Sequence, residues 1–225
     1  MALRMFTDET GWESSRKDVR FTNTGVRLVL AHAALVKPLA MLLADWLVID
    51  QARREADDAL VDCHAGVATW NVCLDSWVGK LSSRLLYECG DKPTSTTFQR
   101  YFPEVPSEVI RMGLETEIER ANNFHDVAKE LGASKEVTSI LTEIATAQAS
   151  GKTVIETRKE AAAAVGRVSL RMHIWKENAN QARRGIEAAL ETYGVANGLE
   201  RGYADNFFPA PKKAKKSSKK TAPTP

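Results

Sequence analysis

The stretch that decides the fold runs from Val137 to Ala196 and reads VTSILTEIATAQASGKTVIETRKEAAAAVGRVSLRMHIWKENANQARRGIEAALETYGVA. Steps of three and four from Val137 give Ile140, Ile144, Ala147, Gly151, Val154, Arg158, Ala161, Val165, Val168, Met172, Trp175, Ala179, Ala182, Ile186, Ala189, Tyr193 and Ala196. Only Gly151 and Arg158 break the apolar run, and a seven-residue period held this long predicts a long helix with a buried seam. Ser150-Gly151 is a stop signal, and Thr153 with Glu156 forms a capping box that would restart a helix. The heptad phase crosses Gly151 unbroken, which favours one continuous helix. The flanking charges, including Arg158, Lys159, Glu160, Arg183, Arg184 and Glu187, are assigned to its solvent side.

A second stripe begins at Leu28 and continues through Ala31, Leu35, Pro38, Leu42, Asp45, Ile49, Ala52, Ala56, Ala59, Cys63, Gly66, Trp70, Cys73 and Trp77. Cys89-Gly90, followed by Asp91-Lys92-Pro93, ends it. Thr22 to Thr24 supply the starting cap, and Pro38 either kinks the helix or divides it. Between the two stripes, three prolines and a Thr/Ser run make residues 90–106 a connecting loop. Phe98, Tyr101 and Phe102 pin that loop to the core. A shorter helix then starts at Pro106-Ser107, carries Ile110, Leu114, Ile118, Ala121, Phe124, Ala128 and Leu131, and stops at Gly132.

The expected fold is therefore all-α: an elongated antiparallel helical bundle or coiled coil, with a disordered basic C-terminal tail. Residues 1–21 are expected to be a loose N-terminal arm, 22–202 the bundle and 203–225 the tail.

The net charge of +2 conceals a division. Six lysines, Lys212, Lys213, Lys215, Lys216, Lys219 and Lys220, fall in the last fifteen residues without an acid. That leaves 25 basic residues against 29 acidic ones, a net −4, for residues 1–210. Nothing larger than Ala, Pro or Thr interrupts the basic segment, so it cannot build a core. Its composition is similar to that of the C-terminal tails of linker histones, which are rich in lysine, alanine and proline and bind DNA. The resemblance covers residues 211–225 and implies nucleic-acid binding through the six lysines. The plain alternative is a solubilising tail. Phe207-Phe208-Pro209, just before it, is either a docking motif for a partner or a hydrophobic tack that folds back on the helices.

The N-terminus has no apolar core of a secretory signal, and a cytoplasmic protein is expected. Leu28 to Ile49 is long and apolar enough to be weighed as a membrane span. Its Leu, Val and Ile residues each favour insertion by roughly 0.3 to 0.6 kcal/mol, while Lys37 and Asp45 each oppose it by up to roughly 3 kcal/mol. With His32 and Pro38 added, insertion gains nothing, and a buried core helix is the expectation.

Catalytic motifs are missing from the sequence: it has no phosphate-binding glycine loop, HExxH or CxxC. A di-iron bundle site needs Glu three residues before His. The residues three before His32, His64, His125 and His173 are Val29, Val61, Asn122 and Leu170. The polar cluster Glu55, Asp57, Asp58, Asp62, Cys63 and His64 reads as a solvated face, and Glu117 with His125 as an ordinary helix pair. Trp70 and Trp77 read as large core residues. Cys63, Cys73 and Cys89 fit no metal or redox spacing and read as reduced thiols. The expectation is a non-enzymatic structural protein without cofactor or metal. Its partners would be nucleic acid through the tail and copies of itself through the helical seams.

Overall fold

A computed structural model describes residues 3–210, and these form helices joined by short loops, without a strand. In chain order they form α1 (Trp12–Leu28), a 3-10 helix (Leu30–Leu35), α2 (Val36–Glu88), α3 (Thr96–Tyr101), α4 (Pro106–Val109), α5 (Leu114–Leu131), α6 (Lys135–Ala196) and a 3-10 helix (Tyr203–Phe207). The chain divides into two compact units. Among the described residues the first comprises 3–52 and 168–210, the second 53–167, and the two longest helices contribute to both.

α6 is one helix of 62 residues, unbroken at Gly151. From Val137 to Tyr193 no member of the predicted stripe is exposed. Ser134 caps its start, its hydroxyl accepting from the Val137 amide at 3.2 Å.

α2 spans 53 residues. The predicted stripe is buried at each seventh position, Leu42, Ile49, Ala56 and Cys63, but its intervening member is off by one. Asp45 and Ala59 face solvent, while Trp46 and, further on, Leu74, Val78, Leu81 and Leu85 are buried. Pro38 neither kinks nor breaks α2. It sits in the first turn, where an amide would have no intrahelical partner.

The first unit begins earlier than the sequence suggested. Residues 12–21, expected to be a loose arm, are the first part of α1, and Thr22 lies inside that helix rather than capping it. The buried positions Ser15, Val19, Thr22 and Val26 follow helical spacing, but two of them are hydroxyls. Ser15 Oγ donates to the Gly11 carbonyl and Thr22 Oγ1 to the Asp18 carbonyl, each at 3.2 Å, so burial leaves neither unsatisfied. Trp12 stacks on Trp46 with centroids 5.2 Å apart and meets Trp175 edge-on at 5.0 Å. Each polar tip in this cluster that finds a partner does so within the unit: Trp12 Nε1 donates to Asp50 at 3.1 Å and Trp175 Nε1 to the Leu42 carbonyl at 2.8 Å.

Residues 4–8 are also docked. Asn180 holds Phe6 at both backbone groups, accepting from its amide at 2.8 Å and donating to its carbonyl at 2.9 Å. Arg183 donates to the Arg4 carbonyl at 2.7 Å and lies under the Phe6 ring at 4.4 Å. Arg183 was assigned to the solvent side of α6; it is fully buried.

In the second unit one core unites Leu74, Val78, Leu81 and Leu85 of α2 with Phe98, Tyr101 and Phe102, with Leu114, Ile118 and Phe124 of α5, and with Val137, Leu141 and Ile144 of α6. Trp70 and Trp77 pack against it. The helix expected from Ser107 to Leu131 is split. α4 lasts four residues behind Val105 and Pro106, and Gly113, with φ of 79°, turns the chain before α5 starts. That backbone region is open to glycine and strained for other residues.

Candidate functional site

The six lysines at 212–220 lie outside the described residues, and so does the expectation of disorder there. The structure places the residues just before them. Phe207 is buried, its ring 5.5 Å from that of His32 and its Cδ1 3.3 Å from where a Cβ on Gly25 would stand. Phe208 is half-buried, with the Arg183 guanidinium 5.5 Å from its ring. Residues 203–207, assigned to the tail, therefore belong to the first unit. His32 is the hub of this contact. It is buried, its Nε2 is 2.8 Å from the Tyr203 hydroxyl, and its ring meets Tyr193 edge-on at 4.6 Å.

The other side of α1 is a surface of mixed character. Lys17, Arg20, Phe21, Thr24, Arg27 and Leu28 are exposed along it. Lys17, Arg20, Phe21, Thr24, Gly25 and Leu28 form a groove with Asn206, so this surface borders the point where the chain runs on to the lysines. A second groove joins Arg20, Thr24 and Arg27 to Leu43 and Leu47 of α2. Lys17, Arg20, Arg27 and Lys37 make no ion pair with a described residue. Between α1 and α2 the chain turns a corner on which Leu28 is 81% and Leu30 91% exposed, and Leu47 is 61% exposed. The most apolar 18-residue window of the segment Leu30–Glu88 is only 28% buried. The buried core helix expected at residues 28–49 is thus corrected. One side, Leu39, Leu42 and Trp46, enters the core, and the other carries its apolar residues into solvent.

The second unit holds a different kind of group. Glu117 is fully buried on α5, beside the Asp75 carboxylate of α2. Burial, and then the negative charge of Asp75, push its pKa up to about 8. A pKa near 8 keeps the carboxyl protonated at pH 7, and the side chain is closed off from solvent. His125 instead lines a shallow groove with Ala128, Ala133 and Leu141, and the pair does not converge on a common ligand position. The acidic run on α2 is open to solvent at Glu55, Asp58, Asp62 and His64. Among the described residues no three His, Cys, Asp or Glu side chains are placed to share a metal ion.

The α1 surface was missed in the sequence because α1 itself was missed. The readable signal was Lys17, Arg20, Phe21, Thr24 and Leu28 at steps of three, one, three and four, opposite Val19 and Val26. Compared with models of protein families, with curated proteins and with solved structures, the chain matches none.

Proposed function

We propose that this chain is a non-enzymatic helical scaffold that attaches itself to a phosphate-bearing polyanion. In this reading the long helices form a bundle, and the cytoplasmic chain keeps Cys63, Cys73 and Cys89 as thiols. The observation that carries it is a cationic surface on α1 whose groove ends at Asn206, shortly before the lysine run in the sequence. Lys17, Arg20 and Arg27 project from α1 into solvent, and the groove beside them ends at Asn206, six residues before the first of six lysines. A chain reaches at most about 3.6 Å per residue, so Lys212 lies within roughly 20 Å of Asn206 and both elements can serve one surface. Cations grouped on one surface of α1 concentrate the positive field there.

The test is retention on phosphocellulose. The full chain should bind at low salt and elute as salt screens the contacts. Truncation after Pro209 should lower the salt needed for elution, and Lys17→Glu with Arg20→Glu should lower it further. A full chain that flows through at low salt would refute polyanion attachment.

A further inference from the structure

We infer that the polyanion is an anionic lipid bilayer, and that the first unit docks on it through the corner between α1 and α2. This rests on the attachment reading and names its surface and its partner. Leu28 and Leu30 stand on that corner almost wholly in water, with Phe21 two helical turns behind Leu28 and Leu47 across the groove from Arg27. Cations flank the apolar tip on both sides: Arg20 and Arg27 precede it, and Lys37 follows in the first turn of α2.

That interleaving selects among occupants. A nucleic-acid backbone rewards the cations but offers nothing to Leu28 and Leu30. A second copy packed about a two-fold axis would bring the same cation-bearing patch of both chains, Arg20 and Arg27 included, into one interface. A bilayer with anionic headgroups takes both elements at once, because apolar side chains enter the acyl boundary while Lys and Arg remain among the phosphates. Weak apolar insertion becomes stable attachment when a second, polybasic element is tethered beside it, and the lysines from 212 onwards supply that element.

The docking is peripheral. The residues that a spanning helix would have to give up to lipid are engaged in the protein: Trp46 stacks on Trp12, and the Leu42 carbonyl accepts from Trp175.

The experiment is co-flotation of the full chain with phosphatidylcholine vesicles, with and without phosphatidylserine, run beside duplex-DNA binding. The variant is Leu28→Ser with Leu30→Ser, which keeps the charge and changes two solvent-exposed positions. Its helicity and melt should match the parent. The parent should float with the phosphatidylserine vesicles and not with phosphatidylcholine alone. The variant should lose at least about tenfold in vesicle affinity, since each buried methylene contributes about 0.8 kcal/mol, and should bind DNA like the parent. DNA binding without flotation would overturn the lipid assignment and leave polyanion attachment standing. Loss of both would remove both. Equal flotation of parent and variant would reduce the contact to the lysines and overturn the docking face. A parent that dimerises through these leucines without floating would reassign the face to self-association.

Discussion

A Cβ placed on Gly151 of α6 would lie 2.9 Å from Ile118 Cδ1 of α5, and 3.3 Å from Leu114 Cδ1. The helix does not stop at Gly151; it thins there so that α5 can approach. Alanine at this position gains up to about 1 kcal/mol of helix propensity, but it must move Ile118 and Leu114, which are both buried. Gly151→Ala should therefore leave the melting temperature nearly unchanged. Gly151→Leu, which no rotamer shift of Ile118 can accommodate, should cost about 1 to 3 kcal/mol. Denaturant unfolding of the two variants checks this, and a Leu variant as stable as the parent would mean that α5 does not pack here.

Glu117 makes the second unit sensitive to alkali. Its pKa is raised from 4.5 to about 8 by burial and by Asp75. The folded chain thus holds a proton that the unfolded chain releases near pH 4.5. The stability tied to that proton is fully present below pH 4.5 and falls as pH rises, until it is gone above about 8. Glu117→Gln removes the titration while keeping the shape. Stability followed by urea unfolding from pH 5 to pH 9 should decline for the parent, by an amount on the order of several kcal/mol, and the variant should lack this part of the slope. Parallel curves would show that Glu117 is ionised in the fold.

The contrast between α6 and α1 shows what the sequence could carry. α6 was legible because burial and apolarity coincide along it from Val137 to Tyr193. In α1 two of the four buried positions are Ser15 and Thr22, whose hydroxyls turn back to their own helix, so a hydrophobic period does not reveal them. On α2 the residue types were informative but the phase was off by one: Asp45 was a warning that Trp46 was the inward member. Arg183 misled for the opposite reason. Its charge suggested solvent, yet its guanidinium is covered by Phe6 and by the Arg4 backbone, the latter 179 residues away, contacts that no local pattern announces. The exposed corner at Leu28 and Leu30 could not be read at all, since apolar residues report their surroundings only when a structure supplies them.

Asn180 is the clasp of the N-terminal segment. It makes both of its hydrogen bonds to Phe6, whose ring also stacks on Trp175 at 6.4 Å. Asn180→Ala leaves a backbone amide and a carbonyl without partners, at a cost of about 1 to 3 kcal/mol. Most of that cost should appear locally. Trypsin should cut after Arg4 sooner in the variant than in the parent, while the helix content stays the same. An unchanged cleavage rate at Arg4 would show that Arg183 and Phe6 hold the segment without Asn180.

Salt titration separates the two cationic elements. For duplex DNA the slope of log affinity against log salt is about −0.9 per phosphate neutralised. The six lysines at 212–220 can therefore supply at most roughly −5, and the three exposed cations of α1 at most roughly −3 more. Truncation after Pro209 removes the larger part. The remaining chain has a net charge of −4 and should bind weakly, if at all, with a slope no steeper than that of α1 alone. Replacing Lys17, Arg20 and Arg27 by Glu in the full chain should flatten the slope by the smaller amount without altering helicity, because all three side chains stand in solvent. A truncated chain that keeps the parent's slope would move the anchor from the lysines to the folded units. A charge-reversed chain with an unchanged slope would show that α1 does not touch the polyanion, and the groove ending at Asn206 would lose its part in attachment.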